Sequence, residues 1–318
     1  MRLYFLEICL AKFFLRAMLT EEPEKGSGIM KKTYLLAGTA ILMWSTMATV
    51  SKLLLGTMSN FQVLCISSLL AGLSMLVING ISGKLKLLKT YCLKDYLIMT
   101  GVGMLGIFLY YSFYYIGMGR MLASQAFIIN YLWPIMSILF AAILLKEKLT
   151  FRKGIAISLS FFGVIIVTGK ELIQFDPYMI FGAVMCICGA VCYGAFTALN
   201  KKYHYEKGIS MMVAFFMSFL LSLLLNLKSL GSWHINLGQL LGLGWNGIFS
   251  MAIGNTAWAL ALEKGNTAKI SNLAYITPFI SLIWTALILK EKISIWSVAG
   301  LCVIVLGILI QLKDQKKA

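Results

Sequence analysis

The residues of this chain that could do chemistry are few, and most of them are neutral. Asn130, Asn255 and Asn272 are amides set in apolar stretches, where a polar group without a hydrogen bond is costly. An amide can both donate to a carboxylate and accept from an ammonium, which suits a zwitterionic ligand. Trp44, Tyr111, Trp133, Tyr193 and Trp258 lie away from the ends of their apolar stretches, so they are expected in a partly aromatic cavity wall rather than in an interfacial belt. Pro134 and Pro278 fall inside such stretches. A proline there withholds a main-chain donor and frees the carbonyl four residues earlier, here those of Asn130 and Ala274. At helical spacing Asn130, Pro134, Ser137 and Ala141 share one face, and Ala274, Pro278, Ser281 and Thr285 another. Small or polar faces of this kind can line a cavity and flex in gating. The competing accounts are kinks that merely curve a helix around a bundle and amides that bond one helix to the next.

Nothing in this set suggests catalysis. None of the 12 acidic residues falls in the middle of an apolar stretch, and His204 and His234 fall between stretches, so an acid/base pair or activated nucleophile is not expected. Cys186, Cys188 and Cys192 lie on different faces of one helix with no His nearby and read as packing residues, not metal ligands. No cofactor motif is present. The two Leu-Lys-Glu-Lys runs, 145–148 and 289–292, end apolar stretches, where lysines complement the helix dipole and reach lipid headgroups.

The elements that must position these residues follow from composition. The 318 residues are 60% hydrophobic and 13% charged, with a mean hydropathy of +0.86, whereas a soluble chain carries about 25% charged residues. An all-α integral membrane protein is the expected class. A spanning helix needs about 20 mostly apolar residues, and ten segments approach that length: 34–55, 61–79, 96–116, 123–145, 152–169, 178–200, 209–227, 237–262, 268–289 and 295–312. Their connections are too short to hold a soluble domain, the longest being 80–95.

The formal charge of +16 invites a nucleic-acid reading, but the positions of the basic residues give a better one. With the N-terminus in the cytoplasm, 22 of the 28 Lys and Arg fall on that side, leaving Lys52, Arg120, Lys170, Lys228, Lys290 and Lys292 outside. Positive charge collects on the cytoplasmic side of membrane proteins. Both termini are therefore expected in the cytoplasm, the charge lies against anionic lipid, and no nucleic-acid partner is expected. Residues 1–30 stand apart. Leu3 to Leu10 is too short to span and carries Glu7, residues 21–28 read as a linker, and Met30-Lys31-Lys32 looks like a natural beginning. The extension is either an interfacial amphipathic piece or an over-called start.

A shift of 144 residues superposes two halves of the chain. Tyr131-Leu132-Trp133-Pro134 falls on Tyr275-Ile276-Thr277-Pro278, and 8 of the twenty positions 131–150 are identical to 275–294. Gly103 and Gly163 fall on Gly247 and Gly307. For the first segment against the sixth the register is ambiguous: Gly38 matches Gly182 at 144, but Lys52 matches Lys201 at 149. Each unit, 31–170 and 177–312, contains an odd number of segments, so the second enters the membrane reversed. Inverted five-helix repeats of this kind recur in secondary transporters, with the site between the halves.

The ten segments, the five-plus-five repeat, the Pro-centred segments ending in Leu-Lys-Glu-Lys and the Trp44-Ser45 pair resemble the EamA family of the drug/metabolite transporter superfamily over residues 30–312. The run Gly254-Asn255-Thr256-Ala257-Trp258 through Gly265-Asn266 to Tyr275-Ile276-Thr277-Pro278 is similar to the bacterial aromatic amino-acid exporters. The resemblance implies an exporter of small metabolites, amino acids or related amphiphiles, in a bacterial inner membrane. A proton relay through a buried Glu, as in the small four-helix multidrug exporters of that superfamily, is not expected without an intramembrane carboxylate. The alternatives are a broad drug or metabolite exporter, a passive channel and an integral membrane enzyme.

Overall fold

The computed structural model describes residues 26–147, 149–173, 176–264 and 273–315. Helices occupy all ten apolar segments among these residues. They are α1 (Gly26–Leu55), α2 (Asn60–Ile81), α3 (Leu93–Gly103) running through a π-helical turn (Met104–Leu109) into α4 (Tyr110–Met118), α5 (Ala123–Asn130), α6 (Trp133–Leu145), α7 (Phe151–Ile173), α8 (Pro177–Lys202) and α9 (Lys207–Asn226). There follow α10 (Leu237–Gly244), a second π-helical turn (Trp245–Ile253), α11 (Gly254–Lys264), a 3₁₀ turn (Ala274–Ile276), α12 (Thr277–Ile288) and α13 (Ile295–Gln315). Seven stretches among the described residues are long and apolar enough to cross a membrane, Ala123–Leu145 counted as one across its turn; Ala274–Ile288 and Ile295–Ile310 are apolar but shorter.

Local sequence sets the helix ends. Ser59 with Gln62, and Asn236 with Gln239, form reciprocal caps, and Asp176 accepts from the first turn of α8 behind Pro177, each satisfying donors that a helix start leaves open. The surface is the reverse of a soluble protein's. Val77, Phe162, Leu224 and Leu287 point outward, while Ser45, Ser67, Ser68, Asn79, Ser218 and Ser222 are buried. In lipid, helices associate through close packing and interhelical hydrogen bonds rather than hydrophobic exclusion. The Ser68 and Ser218 hydroxyls bond across α2 and α9 at 3.0 Å. At the α7–α13 crossing a Cβ on Gly163 would lie 2.7 Å from the carbonyl of Gly300, so only glycine admits that approach.

Several features recur at the 144-residue spacing. Met104–Leu109 and the end of Trp245–Ile253 are both π-helical. Lys146 and Lys290 both turn the chain at φ 56°, after which the N–H groups of Glu147 and Glu291 return to the carbonyls of Ala141 and Thr285. Packing follows the same exchange: α6 and α4 lie on α8 as α12 and α11 lie on α1, and α2 pairs with α9 as α7 pairs with α13.

The prolines correct one expectation. Their positions in the sequence predict mid-helix prolines, but Pro134 and Pro278 each sit in the first turn of a new helix, α6 or α12. The fourth segment is broken at Tyr131 and Leu132, and 3₁₀ geometry precedes α12. Proline is tolerated at a first turn because its missing N–H would be unpaired there anyway.

Candidate functional site

The helix break places chemistry in the middle of the bundle. A cavity of about 60 Å³ lies beside it, lined by Trp44 and Met47 of α1, Ile107, Tyr110 and Tyr111, Phe127 and Asn130 of α5, Tyr131, Trp133, Tyr193 of α8, Met211 of α9, Asn255 of α11 and Thr277 of α12. One water needs about 10–15 Å³ on the same scale, so the cavity as it stands holds a few waters and must widen for anything larger. None of the described residues lining it is charged.

Of the residues singled out from sequence, Trp44, Tyr111, Asn130, Trp133, Tyr193 and Asn255 meet at this cavity. Trp258 is not on its wall; its ring backs Trp44 at 5.3 Å between centroids. Asn272 lies outside the described residues, as do Gly265 and Asn266. Tyr110, Phe127, Tyr131 and Thr277 join the wall without having been expected there. A signal for Thr277 existed, because it is the repeat partner of Trp133. Tyr111 and Asn255 are likewise partners at the 144 shift, and Trp44 and Tyr193 are partners at 149.

The rings form a continuous wall. Tyr193 stands 4.7 Å from Tyr110 and 5.1 Å edge-on from Trp133, and Tyr110 is 4.7 Å from Tyr111. Tilted and edge-to-face contacts at such distances are the favoured aromatic arrangements. Gly254 makes room for the α1 side: a Cβ there would come within 2.9 Å of the Trp44 Nε1. Polar groups on the wall are tied back into the protein. Asn130 Nδ2 donates to the Tyr110 hydroxyl at 2.9 Å, Asn255 Nδ2 to the Met251 carbonyl one turn back, and the Tyr111 hydroxyl to Met47 Sδ at 3.7 Å. The Tyr131 hydroxyl donates to the carbonyl of Ala274, which the proline deprives of its donor four residues on and which also accepts the N–H of Thr277.

Two carboxylates at helix ends brace the bundle. Glu291 Oε1 accepts the N–H of Ala123 at 2.7 Å, and Oε2 accepts both the N–H and the hydroxyl of Ser124, at 3.0 and 2.7 Å. A carboxylate on a helix N-terminus is favoured by both the open donors and the dipole. Beside it, Lys52 donates to the carbonyls of Met118 and Met121, each at 2.7 Å. This corrects the reading of the second Leu-Lys-Glu-Lys run as an interfacial anchor alone: its glutamate caps α5. The repeat partner, Glu147, pairs with Lys201 at 2.6 Å and more distantly with Lys153 at 3.8 Å. The Lys201 hydrogen bond holds the Glu147 carboxyl below its ordinary value.

The profile of the EamA-like transporter family matches the chain twice, at residues 31–169 and 180–312. A protein of Archaeoglobus fulgidus named an uncharacterized transporter is 25% identical over 291 residues, covering 90% of this chain and all of its own. One of Clostridium kluyveri with the same name is 27% identical over 300 residues, covering 91% and 96%. The uncharacterized transporter YvbV of Bacillus subtilis is 25% identical over 297 residues, covering 90% and 94%. A solved structure superposes with a TM-score of 0.67 over 90% of this chain and 98% of its own at 19% identity, a likeness of fold.

Proposed function

The chain belongs to the EamA-like transporter family, a family of membrane transporters rather than enzymes, and we propose that it exports small metabolites, amino acids or related amphiphiles, by alternating access. In this reading ten spanning helices form two inverted repeats, 31–170 and 177–312, with both termini on the cytoplasmic side of a bacterial inner membrane. Residues 1–30 precede the first repeat, and Gly26 to Met30 among them already belong to α1. Trp44, Tyr111, Asn130, Trp133, Tyr193 and Asn255 are the proposed substrate contacts, with Trp258 as support behind Trp44. Asn272 is proposed with them on sequence alone. Pro134 and Pro278 are the proposed gating points.

The observation that carries this reading is the cavity itself. It lies beside the break before Pro134 and the helix start at Pro278, and residues related by the 144- and 149-residue shifts are among those that line it. Broken helices are tolerated in a membrane where their loose ends line a cavity, and a site between repeat halves lets rocking of the halves expose it to each side in turn. An uncharged wall of rings and amides suits a solute with an apolar body and a polar head. No carboxylate lines it among the described residues, which leaves downhill efflux or coupling by a route other than a buried carboxylate.

The test is counterflow of labelled phenylalanine or tryptophan in proteoliposomes. Saturable uptake stimulated by internal unlabelled amino acid is expected; flux without saturation would indicate a channel. Competition by drugs and nucleosides as effective as by amino acids would move the reading to a broad exporter. Folded protein that carries no amino acid, nucleoside or cationic drug would sink it.

A further inference from the structure

Asn130 is 3% exposed and lines the cavity. Its Nδ2 is committed to the Tyr110 hydroxyl, while its Oδ1 is buried without a partner. Buried polar atoms are nearly always hydrogen-bonded, so an orphan acceptor beside a cavity points to a donor that arrives from within it. Asn130 is also the last residue of α5, where the unpaired carbonyls give a helix its negative end. Pro134 adds to this, because it has no N–H to offer the Asn130 carbonyl one turn before it. One residue therefore presents two acceptors, one on the side chain and one on the main chain, at the negative end of a half-helix.

The surroundings favour the same partner. Of the residues lining the cavity, Trp44, Tyr110, Tyr111, Phe127, Tyr131, Trp133 and Tyr193 are aromatic, and ring faces attract cations. No lining residue among those described offers an anion a full positive charge. Building on the exporter reading above, we propose that Asn130 determines specificity by accepting an N–H from the substrate's amino group, so that this site selects for an amine or ammonium and only secondarily for a carboxylate.

Three ligands that share a benzyl body separate the contributions: phenylalanine, phenethylamine without the carboxylate, and 3-phenylpropionate without the amine. Competition against labelled phenylalanine in proteoliposomes is expected to rank phenethylamine well above 3-phenylpropionate, by about tenfold or more, the scale of one charge-assisted hydrogen bond. Asn130→Leu, with folding checked by thermal unfolding, is expected to bring the two within about twofold. Asn130→Asp keeps an acceptor and adds charge, so it is expected to retain or widen the preference. Equal competition by phenethylamine and 3-phenylpropionate in the unaltered protein overturns the proposal, and this comparison stands even if the leucine variant does not fold. A preference unchanged in a folded Asn130→Leu protein overturns it as well. If phenylalanine is not carried at all, the exporter reading fails separately, and protection against thermal unfolding by phenethylamine but not 3-phenylpropionate still decides the role of Asn130: protection in the unaltered protein that is lost in Asn130→Leu supports it, and no protection overturns it.

Discussion

The hydroxyl of Tyr131 donates to the carbonyl of Ala274, and so ties the break between α5 and α6 to the helix start that Pro278 creates. Pro278 cannot supply that carbonyl with the usual donor four residues on; the N–H of Thr277 reaches it at 3₁₀ spacing, and the tyrosine from the other half adds a second bond. Tyr131→Phe keeps the ring and removes this second bond, while the Thr277 N–H still serves the acceptor. The expected cost is about 0.5–1.5 kcal/mol, the net worth of one hydrogen bond, read as a lower midpoint of thermal unfolding in detergent. An unchanged midpoint would mean that the tyrosine bond adds nothing to the main-chain bond from Thr277.

Glu291 and Glu147 occupy equivalent turns, but their surroundings differ. Glu291 takes three hydrogen bonds from the start of α5, whereas Glu147 makes a surface ion pair with the exposed Lys201. Bonds to a charged group are worth about 1.5–3 kcal/mol each at best, and an exposed pair about 0.2–1 kcal/mol. Glu291→Gln is therefore expected to destabilise the protein more than Glu147→Gln does. Equal losses in a side-by-side thermal unfolding series would contradict the capping role.

Acid should reveal the smaller of these effects. Because Lys201 holds the Glu147 carboxyl below its ordinary value, its contribution is present above the unfolded carboxylate range and is lost as pH falls through the lowered value. Solvent exposure keeps that contribution within about 1 kcal/mol. Unfolding midpoints of the unaltered protein and Glu147→Gln are expected to differ slightly at neutral pH and to converge in acid. A gap that persists into acid would assign the difference to packing.

Hydropathy and the 144-residue repeat make the helical segments legible, because a membrane demands long apolar runs and a duplicated unit leaves matched residues behind. Asn130, Trp133 and Tyr193 can be placed near a cavity on similar grounds: a polar or large aromatic side chain amid aliphatic neighbours must bond an adjacent helix or face an internal space. The cap on α5 is not legible. It joins residues 123 and 124 to residue 291, and nothing in the local sequence of Glu291 distinguishes a headgroup-facing glutamate from one folded back onto another helix. Tyr110 escapes notice beside Tyr111 because both rings are aromatic and the π-helical turn before them shifts which face points inward. Trp258 sits one layer further back than its sequence position suggests, since Trp44 fills the space that Gly254 leaves open.

The position of the prolines gives the sharpest contrast between stability and function. A proline in mid-helix costs about 3 kcal/mol or more, so replacing it would be expected to stabilise the helix markedly. Pro134 instead occupies the first turn of α6, where it is well accommodated, so Pro134→Ala is expected to change stability by less than about 1 kcal/mol. The substitution does restore an N–H one turn beyond Asn130, which lets α5 and α6 join through Tyr131 and Leu132. A joined helix would pair the Asn130 carbonyl with the restored N–H and stiffen the proposed gating point between the two halves. The expected result is a protein that unfolds at nearly the same temperature but exchanges substrate several-fold more slowly, with the same direction of change in Pro278→Ala. Full counterflow rates in both folded variants would show that the breaks merely shape the cavity and do not move.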